Sequence, residues 1–226
     1  MFTEGEKINL MVKNLSRFKD LDHTLELFLN NLDKFEGVDY NDVAMKLINA
    51  GIGDVVAKYL EKFDSLNHKD IALKLIASGK GGDVAEYLEK FKGVDNEVAR
   101  KLIVAGHGWP IAKSLEKFEG LDHKKVAMML IEYGPGWSVA KYLEKFEGLD
   151  SNDIAMKLFD AGKGSSVATY LEKFKGLDSN IALYLIDIGS GKTVLKNLDK
   201  FEGLNNEVAQ KFLLLWKAED RTTDDN

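Results

Sequence analysis

The stretch GLDSNDIAMKLFDAGKGSSVATYLEKF, from Gly148 to Phe174, decides the fold, because it is one copy of a unit that recurs along most of the chain. Its closing Phe recurs as Phe35, Phe63, Phe91, Phe118, Phe146, Phe174 and Phe201, at spacings of 28, 28, 27, 28, 28 and 27 residues. A fixed period of this size marks a solenoid or array of supersecondary units. The unit reads G-[LV]-D-x-x-x-[VI]-A-x-x-L-I-x-x-G-x-G-x-x-[VI]-A-x-Y-L-E-K-F, and the shorter versions lack one position before the Val/Ile-Ala pair.

Each copy predicts two short helices and no strand. In the first, Val43, Ala44, Leu47 and Ile48 fall on one stripe of a 3.6-residue period; in the second, Val56, Ala57, Leu60 and Phe63 do the same. The small residue of the first helix (Ala44, Ala72, Ala99, Ala127, Ala155, Ala182, Ala209) allows close helix approach, and these columns are read as core. Between copies, Gly148-Leu149-Asp150 supplies a left-handed C′ glycine, an apolar cover and an N-cap for the next helix. Within copies, the G-x-G turn ends near a capping type, namely Asp83, Ser138, Ser166 or Thr193, with Pro110 in one copy. These two turns account for 18 of the 20 glycines, so glycine here serves backbone geometry rather than phosphate binding.

The expected fold is therefore all-α: a right-handed α-solenoid of six full hairpins over residues 37–203, about 28 residues each. Residues 1–36 read as N-terminal capping helices (6–19 and 22–36), 204–218 as a C-terminal half repeat and 219–226 as a disordered acidic tail. In that half repeat Phe212, Leu215 and Trp216 lack a covering helix, which points to self-association or to a longer array.

Composition narrows the function. The absence of cysteine excludes disulfides, thiolate zinc and a cysteine nucleophile. The polar first twenty residues offer no signal-peptide core, and no apolar run approaches the ~20 residues of a membrane span. Cytoplasm is the expected compartment, with a secreted effector as the other. Gly189-Ser190-Gly191-Lys192-Thr193 looks like the end of a P-loop, but that pattern needs a glycine at 186, which is Ile186. His23, His68 and His123 share one repeat position directly after the helix cap and read as solvated first-turn side chains. Acids and lysines such as Lys141, Glu144 and Lys145 read as charge pairs along a wet helix face. No catalytic constellation, metal set or cofactor site emerges, and the chain is read as non-enzymatic.

Recognition then lies where copies differ. The residue between the turn glycines runs Ile52, Lys80, His107, Pro135, Lys163, Ser190, and the one after the second glycine runs Asp54, Gly82, Trp109, Trp137, Ser165, Lys192. Trp109 and Trp137, with His107, Tyr133 and Pro135 beside them, are candidate partner anchors, and Lys80, Lys163 and Lys192 candidate polar contacts. A lysine column on the first helix (Lys46, Lys74, Lys101, Lys157, Lys211) faces an acidic one (Glu132, Asp160, Asp187), as on a solvated surface. Tyr59, Tyr87, Tyr142 and Tyr170 form a ladder read as packing between repeats.

In architecture the unit resembles the short helical hairpins of HEAT and armadillo solenoids. Asp153-Ile154-Ala155 to Gly162-Lys163-Gly164 and Gly191-Lys192-Thr193-Val194-Leu195 also resemble TAL-effector-like DNA-binding repeats, a likeness that implies turn residues reading bases. Against a nucleic-acid partner stand the pI of 5.4 and the three arginines, Arg17, Arg100 and Arg221, none of them in a turn. The leading expectation is a scaffold binding a protein or peptide through its variable turns, with a nucleic-acid-binding array as the alternative.

Overall fold

A computed structural model of the chain describes residues 3–14, 21–31, 39–63 and 66–223, with residues 216–223 and part of the first two helices described by backbone alone. Helices dominate, as expected of an all-α chain. None of the described helices is long and apolar enough to cross a membrane. The chain divides into two compact units, Met1–Gly120 and Leu121–Asn226.

In the first unit, α1 (Glu4–Asn14) and α2 (Leu21–Asn30) precede three pairs. These are α3 (Tyr40–Asn49) with α4 (Gly53–Lys58), α5 (His68–Ala77) with α6 (Gly81–Glu86), and α7 (Asn96–Val104) with α8 (Trp109–Lys113). The second unit pairs α9 (His123–Tyr133) with α10 (Trp137–Lys141), α11 (Ser151–Asp160) with α12 (Gly164–Thr169), and α13 (Ser179–Asp187) with α14 (Gly191–Lys196). It ends in α15 (Asn206–Thr223). Long helices pack on long ones (α5 on α7; α9, α11, α13 and α15 in turn) and short on short (α4, α6, α8; α10 on α12). The predicted stripes are what these layers bury: Val43, Ala44, Leu47 and Ile48 in α3 and Val55, Val56 and Ala57 in α4.

The predicted second helix is two pieces. After α4 the chain breaks at Tyr59 (φ −110°, ψ 33°) and resumes as a 3₁₀ turn over Leu60–Phe63, and the same break follows α6, α8, α10, α12 and α14. A 3₁₀ turn eclipses i and i+3, so Leu60 and Phe63 both point inward, where a continued α-helix would splay them. Burying such a side chain stabilises by ~1.5–3 kcal/mol.

The turns behave partly as predicted. Asp150 caps α11 by accepting the Asp153 N–H at 2.9 Å. Asp83 and Thr193, by contrast, lie inside the first turns of α6 and α14, which begin at the second glycine of each turn without a side-chain cap. Gly162 is left-handed (φ 70°), letting the Lys163 N–H reach the Leu158 carbonyl at 2.7 Å in a Schellman closure. Gly164 serves closeness instead, since a Cβ there would sit 2.3 Å from the Phe159 ring.

Strands were not expected, yet the connectors of successive hairpins pair in parallel. β1 (Val94–Asp95) lies along β2 (Phe118–Glu119), and a single bridge joins Leu177 to Phe201. The histidine position completes this stitching and corrects the solvated reading. His68 is buried, its Nδ1 accepts the Lys92 N–H at 3.1 Å, and its ring meets Phe91 edge-on. The half-buried His123 likewise accepts the Glu147 N–H (2.8 Å) and meets Phe146 edge-on; where the residue is Ser151 its hydroxyl accepts the corresponding Lys175 N–H at 3.4 Å, and Ser179 accepts the N–H of Asn205 further along its connector. The His23 side chain lies outside the described residues.

The two ends depart from expectation. The N-terminal helices are α1 and α2 as given, with 15–20 and 32–38 outside the described residues. At the other end, α15 continues to Thr223, so residues 219–223 are helical rather than part of a disordered tail. Its sequence has Trp216 where the other copies have the first turn glycine, and the helix runs on.

Candidate functional site

The sequence-predicted anchors fall in both units. Trp109 belongs to the first unit and Trp137 to the second.

In the first unit, Trp109 begins α8, preceded by the turn Gly106-His107-Gly108. The indole is 45% exposed, and the Lys113 ammonium, one helical turn on, stands 5.6 Å from its centre. A groove of 520 Å³ opens beside it, with Trp109, Pro110, Lys113 and Ser114 on one wall and Ala85, Glu86, Leu88 and Glu89 of the preceding hairpin on the other. Leu88 and Ala85 make the floor apolar, while Glu86 and Glu89 are exposed at the rim. The Glu86 carboxylate accepts a hydrogen bond from the Tyr87 hydroxyl, which pushes that phenol above its ordinary range. Asp83 adds to this acidic side, its carboxyl raised by burial and by the nearby Asp54.

His107 has a structural task as well as a place at the groove. A Cβ on Gly81 would lie 2.9 Å from its Cδ2 and one on Gly82 3.3 Å from its Cε1, so the imidazole rests on the previous turn. Those two glycines leave room for it. Lys80 is engaged by Asp54 of the preceding hairpin at 3.2 Å.

In the second unit, Tyr133 and Trp137 flank Pro135, and both rings are exposed. The Tyr133 hydroxyl pairs with Glu132, which raises its pKa, and Lys141 lies 5.8 Å from the centre of the Trp137 ring. Pro135 alters the turn. Having no N–H, it cannot close the Schellman bond that Lys163 closes in the next copy, and a residue before proline is driven to extended backbone. Gly134 is accordingly at φ −128°, unlike the left-handed glycine at this place in the other described turns, and its N–H goes to Leu130. That leaves the Ile131 carbonyl, which Lys163 takes at 2.5 Å together with the Gly134 carbonyl at 2.9 Å. Lys163 therefore caps the neighbouring turn.

Lys192 lies elsewhere, at a larger groove of 970 Å³ between α14 and α15 that also includes Leu195, Ala209, Phe212, Leu213 and Leu215. Leu215 is partly spent internally, its Cδ1 standing 2.6 Å from where a Gly191 Cβ would be, and Phe212 is half-buried. The Trp216 side chain lies outside the described residues.

Several of the charge pairs run between hairpins as well as along one helix. Lys90 reaches back to the Glu61 carboxylate at 3.1 Å and to the Lys58 carbonyl, and Lys173 repeats this to Glu144 at 3.2 Å. On the long helices Lys46 pairs with Asp42, Lys211 with Asp187, and Lys69 with Asp95 (2.6 Å) and Glu97 (3.4 Å). Among the described residues no three His, Asp or Glu side chains converge as a metal site would require. No family model matches the chain, and no characterised protein or solved structure matches it.

Proposed function

We propose that this chain is a non-enzymatic scaffold, a right-handed α-solenoid of six full hairpins, that binds a protein or peptide through its variable turns. The observation that carries the reading is the Trp109 groove. It combines a half-exposed indole, an apolar floor and a polar rim, the arrangement in which one buried aromatic supplies most of an interface's free energy. Trp109, Pro110 and the edge of His107 form the contact wall, and Glu86 and Glu89 favour a partner segment carrying positive charge. Trp137 with Tyr133 is the corresponding surface of the second unit.

Of the lysines that a nucleic-acid array would use, Lys80, Lys163, Lys46 and Lys211 are engaged by acids or carbonyls of the chain itself. That favours a protein partner over a phosphate backbone.

The test is affinity capture on a peptide array followed by titration of the captured sequences. Trp109→Ala should weaken binding by ~30-fold, as loss of a hot-spot aromatic does, with an unchanged helical circular-dichroism signal. Binding left intact by both Trp109→Ala and Trp137→Ala would remove the site. Anisotropy titrations with duplex DNA and single-stranded RNA at low salt should show no binding, and salt-sensitive binding there would instead support the nucleic-acid reading.

A further inference from the structure

Glu89, on the rim of the Trp109 groove, lacks the cation that its column receives elsewhere. The acid of the Leu-Glu-Lys turn is bonded by a lysine of the next hairpin at Glu61 (Lys90, 3.1 Å) and at Glu144 (Lys173, 3.2 Å). The lysine that corresponds for Glu89 is Lys117, and among the described residues no ion pair joins the two. Glu86, three residues earlier, has no cation either, its carboxylate accepting the Tyr87 hydroxyl.

The difference lies three residues before the lysine. Lys90 and Lys173 follow Tyr87 and Tyr170, and the Lys90 ammonium stands 5.4 Å from the centre of the Tyr87 ring, whereas Lys117 follows Ser114. Ser114 lines the 520 Å³ groove, and its small side chain leaves that wall open where the other copies have a phenol ring. Two carboxylates without a cation thus face the half-exposed Trp109 indole across an apolar floor.

An arginine side chain suits all three surfaces. Its alkyl stem matches the floor of Ala85 and Leu88, its planar guanidinium stacks on an indole, and its five N–H donors can serve two carboxylates at once. A lysine brings a point charge without the plane or the fork. Lys113 is the groove's own cation, 5.6 Å from the ring centre, and it competes with an incoming one.

We propose that the Trp109 groove receives an arginine side chain of the partner, its guanidinium bridging Glu86 and Glu89 beside the indole. This names what fills the groove and rests on the reading of that groove as the partner site.

The probe is the peptide acetyl-Gly-Arg-Gly-amide, titrated into the full chain at low salt while the Trp109 indole N–H is followed by NMR, its signal assigned with Trp109→Phe. A saturating shift is expected. Citrulline in place of the arginine, nearly the same shape without the charge, should bind ~10-fold more weakly or worse, and Glu86→Gln and Glu89→Gln should each weaken the arginine peptide ~5-fold. Ser114→Tyr, which restores the residue of the neighbouring copies, should block binding with an unchanged helical circular-dichroism signal, and Lys113→Gln should tighten it. An indole signal that does not move, that moves equally with citrulline, or that is indifferent to both glutamine variants would overturn the proposal. Array-captured peptides that need Trp109 but neither carboxylate would overturn it while leaving the scaffold site standing, whereas peptides that need neither tryptophan would remove both.

Discussion

The ammonium of Lys163 stands 2.9 Å from the carbonyl oxygen of Gly134 and bonds Ile131 as well, so a side chain in one turn completes the backbone hydrogen bonding of the turn before it. The need arises from Pro135, whose missing N–H forces Gly134 out of the left-handed region. Proline and lysine in successive turns therefore act as a matched pair.

That pairing predicts non-additivity. Lys163→Met should destabilise the second unit by ~1–3 kcal/mol, the cost of leaving partly buried carbonyls without their charged donor. In a Pro135→Ala background Gly134 can turn left-handed and its own N–H can reach Ile131, so the same substitution should cost less than half as much. Urea denaturation of the four variants measures the coupling, and additive costs would contradict the pairing.

The two turn glycines at equivalent positions should respond differently. Gly162→Ala places a side chain at φ 70° and should cost ~1–2 kcal/mol. Gly134→Ala, at extended φ with its nearest neighbour at 3.4 Å, should be neutral or stabilise by up to ~1 kcal/mol. Thermal melts of the two variants decide it.

His68 is a buried acceptor, and Ser151 takes the corresponding N–H, that of Lys175, in another copy. His68→Ala should therefore cost ~1–3 kcal/mol, and His68→Ser should recover part of that loss. Hydrogen exchange of the Lys92 amide provides the local readout: faster in the alanine variant, protected again with serine.

Acid should weaken the first unit through Asp95. Burial pushes this carboxyl up, but the Lys69 ammonium and the Val98 and Glu97 N–H donors outweigh it and hold it below its ordinary value. A carboxyl whose folded pKa is depressed adds stability that is complete above the unfolded value, near 4, and is lost as pH falls through the folded one. Asp95→Asn keeps a helix-capping side chain but removes the titration, so its denaturation midpoint should fall less between pH 6 and pH 3 than that of the unaltered chain.

How much of this could be read beforehand follows from the length of each signal. The stripes Val43-Ala44-Leu47-Ile48 and the cap at Asp150 repeat in every copy, and their local physics is complete within a few residues, so they were legible. The break at Tyr59 was not, because the apolar spacing from Val56 to Phe63 fits an unbroken helix and the 3₁₀ turn is decided by packing. Two-residue ladders such as Val94–Phe118 have no periodicity to detect. His68 could have been found from its column, where His, Ser and Asn alternate as side chains able to bond backbone, and Lys163 from its place one repeat after a turn proline. Of the candidate site, Trp109 was visible as a variable residue, but the opposing wall of Glu86 and Glu89 depends on how the next hairpin stacks.

The ties between hairpins have a further consequence for how the chain reaches its native state. Lys92 to His68 and Glu147 to His123 each span 24 residues, Lys90 to Glu61 spans 29, and Lys163 to Ile131 spans 32. Each bond joins one hairpin to the next, so the loop closed to form it is the same size wherever it lies in a unit. Contact order measured in residues therefore stays constant as hairpins are added, and folding speed is set by the search within a neighbouring pair rather than by total chain length.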